Sequence, residues 1–263
     1  MLSRRQCMLA GALYGLAPLH AAQSAGAGDP LNSPQWPTLQ QEYLGGAPVR
    51  FTDAVRLRTP AFAEDPLNVP VQVDARALAD ETDSPIRRIV VLADRNPIRQ
   101  VLGFEPLRAL PVLAFRMRLE QASPVRALVQ THDGQWHGGG AMIQAAGGGC
   151  TVPGASRADG SWKDTLGQVQ ARVFPNLIEG SRRLRLRVMH PMDTGLVDGI
   201  PAFHLEQLEL VDSGDQPWWR LTLHEPVSEN PLLTLELPSE VPPAFRLRGQ
   251  DNNGNRVDAE VRT

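Results

Sequence analysis

Apolar and polar residues alternate in short runs along most of the chain, and turn residues separate the runs. Phe115, Met117 and Leu119 alternate with Arg116, Arg118 and Glu120, which predicts a strand with one wet face. Leu67 to Val73 alternates too, and Pro70 within it predicts a sheet edge or a strand start. Ile86 to Leu92 is almost continuously apolar, the pattern of a buried strand, and ends at the turn Asp94-Arg95-Asn96-Pro97. Val125, Ala127 and Val129 alternate with Arg126, Leu128 and Gln130, and Asp133-Gly134 predicts a hairpin before Trp136. Gly138-Gly139-Gly140 is expected to break the pattern, leaving Ala141 to Ala145 as a last short strand.

The same period returns in the second half. Leu184 to Val188, Phe203 to Leu210, Trp219 to Leu223, Leu233 to Leu237 and Phe245 to Leu247 each read as strands. Asp251-Asn252-Asn253-Gly254-Asn255 predicts a hairpin leading into Val257, Ala259 and Val261. Between the halves, Thr151 to Gln168 is rich in Gly, Ser, Asp and Pro and reads as a linker. One short helix is predicted from Leu39 to Leu44, and Asp29 to Pro37 is expected to be mobile. No βαβ alternation is present. The fold class is all-β: two β-sandwich domains in tandem, at 45–154 and 171–263, with a linker at 155–170.

Composition agrees and adds a compartment. Glycine and proline number 23 each and aromatics only 5% of 263 residues, which favours turns and short elements. The chain opens with Arg4-Arg5, an apolar stretch from Met8 to Leu19, and small residues to Ala27. These are the parts of an export signal over 1–27, and the paired arginines suggest the twin-arginine route. The apolar stretch is shorter than the roughly 20 residues a bilayer span needs. Removing this segment takes two of 26 basic residues and none of 29 acidic ones, moving the net charge from −3 to −5. No basic field for nucleic acid or membrane remains, and the expected location is the periplasm.

Cleavage also removes Cys7, leaving Cys150 as the one thiol, at the end of Gly147-Gly148-Gly149. A single cysteine in an oxidising compartment indicates a reactive thiol or pairing with a second copy through Cys150. Glycines let such a thiol be carried to something else; an incidental cysteine in a linker is the plainer alternative. No Lys, Arg or His lies within six residues of Cys150, which suits a passive carrier better than a catalyst. His132 and His137 could join Cys150 in a metal site, but the spacing fits no standard zinc pattern, and neither metal nor cofactor is expected. No serine-nucleophile motif, phosphate loop or dinucleotide fingerprint appears.

The Gly147-Gly148-Gly149-Cys150 tether, with Val69-Pro70-Val71 and Asp94-Arg95-Asn96-Pro97 before it, resembles the SoxY subunit of the periplasmic thiosulfate-oxidation system. The second half resembles its partner SoxZ at His190-Pro191-Met192-Asp193-Thr194-Gly195, Ile200-Pro201-Ala202-Phe203, Ser228-Glu229-Asn230-Pro231 and Asp251-Asn252-Asn253-Gly254. Together they make the chain similar to a SoxY–SoxZ fusion, of the kind associated with quinoprotein alcohol dehydrogenases. The resemblance implies immunoglobulin-like sandwiches and a non-enzymatic carrier of sulfur intermediates on Cys150, with Gly147, Gly148, Gly149 and Thr151 forming a swinging arm. Partners would be periplasmic redox enzymes of the Sox or quinoprotein dehydrogenase type. The alternative is a non-covalent binding or assembly module for such a dehydrogenase. A SoxY arm ends its chain, whereas here Thr151-Val152-Pro153-Gly154 continue into a second domain. An arm held at both ends, with about five residues per side at ~3.3 Å each, reaches about 16 Å.

Overall fold

The computed structural model describes residues 28–175 and 180–263. The export signal expected over 1–27 lies outside the described residues. The first half contains α1 (Trp36–Leu44), β1 (Val49–Phe51), β2 (Arg56–Arg58), β3 (Phe62–Ala63), β4 (Val69–Asp74), α2 (Arg76–Glu81), β5 (Ile86–Ala93), β6 (Gln100–Glu105), β7 (Val112–Met117), β8 (Ser123–Thr131) and β9 (Trp136–Ala145). The second contains α3 (Ala155–Asp159), α4 (Trp162–Thr165), β10 (Val169–Pro175), β11 (Ser181–Val188), β12 (Leu205–Val211), β13 (Pro217–Leu223), β14 (Leu232–Pro238), β15 (Ala244–Asp251) and β16 (Arg256–Arg262). The fold is all-β, as the period of two predicts.

The strands form two facing sheets, and both sheets run through both halves. One has the order β1-β9-β8-β5-β6-β13-β12-β15-β16, with β3 also on β9; the other runs β10-β11-β14-β7-β4-β2. The halves join where β6 pairs antiparallel with β13 and β7 with β14. Their inward residues form one core, in which Val71, Phe115 and Val91 share a cluster with Leu186, Leu235 and Leu247. This continuity pairs four edge strands, β6, β13, β7 and β14, that tandem sandwiches would otherwise leave unpaired.

Particular residues explain particular elements. β5 is almost wholly apolar because it is covered twice: Ile89 and Val91 face the main core, while Val90 and Leu92 face Trp36, Leu39 and Leu44 around α1. Pro70 lies beyond the last β2–β4 pair, Arg58 with Gln72, so its missing N–H costs that edge nothing.

Two expectations are overturned. β9 runs straight through Gly138-Gly139-Gly140, because residues 49–55 cross so closely that a Cβ on Gly139 would meet the Val55 carbonyl oxygen at 1.9 Å. The glycines are there for close approach rather than to end the strand. Asp29 to Pro37 is also pinned rather than loose. Asp29 accepts from the Arg126 guanidinium (Nη1–Oδ1 2.5 Å, Nη2–Oδ2 2.8 Å), and Trp36 is buried beneath that guanidinium, 4.5 Å from its ring centre. The stretch read as a linker carries α3 and α4, and Arg157 from α3 pairs with Asp193 and lies 4.1 Å over the Trp162 ring.

Candidate functional site

Cys150 lies five residues beyond β9, after a turn that glycine makes possible. Gly147 and Gly148 have φ of +105° and +82°, a region that side chains disfavour. At Gly149 a Cβ would fall 2.2 Å from the Pro66 oxygen and 2.5 Å from the Leu119 oxygen. The arm can therefore lie flat on the chain that follows β7. Gly148 N–H donates to the Glu120 carbonyl at 3.0 Å and Gly149 N–H to the Leu119 carbonyl at 3.1 Å.

Side chains complete the seat. Glu120 accepts the Cys150 N–H at 2.9 Å and the Thr151 hydroxyl at 3.1 Å. Thr194, from the second half, donates its hydroxyl to the Cys150 carbonyl at 2.7 Å. Arg118 donates from Nη1 to the carbonyls of Gly149 (3.3 Å) and Val152 (3.1 Å), on either side of the cysteine. Behind them, Asn96 donates to the Arg118 carbonyl at 2.8 Å and accepts the Glu120 N–H at 3.0 Å, so the Asp94-to-Pro97 turn fixes both residues.

Cys150 is thus folded in, only 1% exposed, and its residue is held from both halves of the chain. Burial pushes the thiol up to about 12, with Glu120 adding to the rise and Arg118 opposing it. Docked, it is a protonated thiol and a poor nucleophile. Arg118 corrects the sequence reading, which placed it on a wet face. β7 ends at Met117, and beyond it the arm covers Arg118, leaving it 1% exposed. Its Nε and Nη2 are buried without hydrogen-bond partners.

Arg118, Glu120, Asn96 and Thr194 are the residues that local sequence reasoning missed. The signal for Thr194 was present, since it lies in one of the quoted second-half motifs. Those motifs gather near the arm. Asp193 pairs with Arg157, Glu229 accepts the Ser156 N–H at 2.7 Å, and Ser228 donates to the Leu67 carbonyl at 2.6 Å. His190, whose Nδ1 accepts the Met192 N–H, lies 3.4 Å from Asp251 through Nε2. Burial draws its pKa down to about 4 against the pull of Asp251. His132 and His137 are not brought to Cys150: they flank the turn at the opposite end of β9, about ten strand residues or ~30 Å away. Among the described residues no group of three or more His, Cys, Asp or Glu side chains could hold a metal.

Residues 40–150 match the family model described as sulfur oxidation protein SoxY. This stretch is similar to SoxY. The match closes on Cys150 itself. Among solved structures, the sulfur carrier protein SoxY from Chlorobium limicola f thiosulfatophilum aligns at TM-score 0.36 and 21% identity, over 42% of this chain and 90% of that one. A putative superoxide reductase from Thermotoga maritima aligns at TM-score 0.31 and 16% identity, over 37% and 93%. Superoxide reductase (neelaredoxin) from Ignicoccus hospitalis aligns at TM-score 0.28 and 17% identity, over 35% and 79%. No curated protein sequence matches the chain. Among the described residues no helix is long and apolar enough to cross a membrane.

Proposed function

We propose that this chain is a periplasmic carrier that holds a sulfur-containing intermediate covalently on Cys150 and presents it to partner enzymes, without catalysing a reaction itself. The observation that carries the reading is the SoxY match, residues 40–150, which ends on a cysteine preceded by three glycines. The arm has two positions. Docked, the thiol is shielded and protonated; undocked, it returns toward the ordinary value of about 8.5 and can be loaded. Each tie on the arm is a hydrogen bond contributing about 0.5–1.5 kcal/mol net, which suits reversible release. Gly147, Gly148 and Gly149 supply the hinge on one side, and Thr151 begins the return on the other. The second half, SoxZ-like at 171–263, is the scaffold, and Thr194 is its hand on the arm.

The test is intact-protein mass spectrometry of the chain taken from its native periplasm, before and after reduction. A reductant-labile sulfur adduct on Cys150 is expected. A bare thiol under every growth condition would sink the carrier.

The burial of Cys150 favours a second reading, in which the cysteine is structural and the chain is a non-covalent assembly module for a periplasmic quinoprotein dehydrogenase. Retention of such an enzyme by the Cys150→Ala protein, equal to that by the wild type, would favour it.

A further inference from the structure

Arg118 carries a fixed positive charge in a place where charge is costly. A guanidinium stays protonated in proteins, and burying one without a counter-ion costs several kcal/mol. Only Nη1 is satisfied, by two carbonyls; Nε and Nη2 have no hydrogen-bond partner. The carboxylates around it act on it at electrostatic range, and each makes its hydrogen bonds to other groups. Glu120 holds the Cys150 N–H and Thr151, Glu229 holds Ser156, and Asp193 holds Arg157. Among the described residues, no ion pair to Arg118 lies within 4.0 Å. Cys150 is the first of the groups with which the guanidinium interacts electrostatically, followed by Glu229, Asp193 and Asp65, none of them hydrogen-bonded to it.

We infer that Arg118 is the cargo-binding residue of the carrier: its two free donor positions take the anionic end of a sulfur oxyanion attached through Cys150. The inference rests on the carrier reading above and names the class of cargo. The arm then docks more tightly when loaded with an anion than when loaded with a neutral group of similar size. The two hydrogen bonds to Gly149 and Val152 hold the guanidinium against the arm, while Nε and Nη2 remain buried without hydrogen-bond partners and are the donors a loaded arm would bring its anionic end to.

Tetrathionate supplies an anionic cargo in a balanced step. The Cys150 thiolate, its proton lost to solvent, attacks an inner sulfur. A new S–S bond forms, the central S–S bond of tetrathionate breaks, and thiosulfate leaves with the electron pair. The cysteine sulfur is oxidised, the departing sulfur is reduced, and Cys150 carries –S–SO3−. Methyl methanethiosulfonate gives the neutral –S–CH3 adduct on the same atom, with methanesulfinate leaving.

The experiment uses the full chain with Cys7→Ser, as otherwise wild type and as Arg118→Gln and Arg118→Lys, each loaded both ways and checked by intact mass. Release by dithiothreitol is timed for folded protein and divided by the rate for the same adduct on the urea-unfolded chain. The wild type should protect the anionic adduct about tenfold or more over the neutral one, as a charge-assisted hydrogen bond requires. Arg118→Gln should protect both alike, and Arg118→Lys should keep part of the preference. Equal protection of the two adducts in the wild type overturns the inference, as does a preference that survives Arg118→Gln. If neither variant folds, the wild-type ratio decides alone. A native Cys150 adduct without this preference removes the role of Arg118 and leaves the carrier standing. The preference without any native adduct keeps the anion site and removes the carrier.

Discussion

Arg118 and Arg126 belong to the same half of the chain and are both 1% exposed or less, yet the protein treats them in opposite ways. Arg126 lies between two carboxylates. Its Nε reaches Asp94 Oδ1 at 2.9 Å, its Nη2 reaches Asp94 Oδ2 at 2.9 Å, and Asp29 takes the other edge. Arg118 has carbonyl dipoles on one corner and nothing on two nitrogens. A buried cation with its charge balanced fastens structure, here the amino-terminal segment to the sheet. A buried cation whose nearest carboxylates act only at electrostatic range, and whose Nε and Nη2 have no hydrogen-bond partner, can still take a further anion. The first is a rivet, and the second is a seat.

The largest effect that could break this comparison is on stability. Arg126→Met leaves Asp29 and Asp94 facing each other without a cation and should cost about 3–5 kcal/mol in urea unfolding. Arg118→Met removes two hydrogen bonds but also the desolvation cost of a buried guanidinium with no ion pair within 4.0 Å among the described residues, so its net cost should stay within about 1 kcal/mol. Equal costs would show that Arg118 is as structural as Arg126.

Acid sharpens the same contrast with a smaller effect. Burial alone would raise the Asp29 pKa, but the Arg126 hydrogen bond and the backbone N–H groups of Ser33 and Leu31 outweigh it and hold the carboxyl below its usual 3.8. Because the folded value is depressed, this stabilisation is complete above about pH 3.8 and is lost as pH falls through the folded value. Trp36 fluorescence should therefore report release of the amino-terminal segment below about pH 3.8, and Asp29→Asn should abolish that transition.

These regions also mark how far the sequence was readable. Strands of period two, the doubly buried β5, the two hairpin turns and the position of Pro70 follow from neighbours along the chain, so local pattern suffices. The glycine run in β9 was misread because its cause, residues 49–55, lies far back in sequence. The pinning of Asp29 depends on Arg126, 97 positions away. Cys150 stood out by composition and glycine spacing, but its seat did not: Glu120 is 30 positions before it and Thr194 is 44 after it. Arg118 looked like one more outward arginine, since alternation tells which face a residue takes and not what later covers that face.

The smallest effect tests the charges on either side of the thiol. Glu120→Gln keeps an oxygen to accept the Cys150 N–H and removes the negative charge that, after burial, raises the thiol. The thiol pKa should fall from about 12, and iodoacetamide alkylation at about pH 8 should speed up several-fold. Thr194→Val instead removes the hydroxyl that holds the Cys150 carbonyl, at a cost of about 1 kcal/mol, and frees the arm without changing the charge beside the sulfur. Both variants should move the midpoint of the alkylation curve downward, Glu120→Gln by removing the charge beside the docked thiol and Thr194→Val by populating the undocked arm, whose thiol returns toward about 8.5. If Glu120→Gln leaves the midpoint unmoved, the electrostatics of the docked thiol play no part in its reactivity. The seat would then protect Cys150 by enclosure alone, leaving Arg118 to act on the cargo and not on the sulfur that bears it.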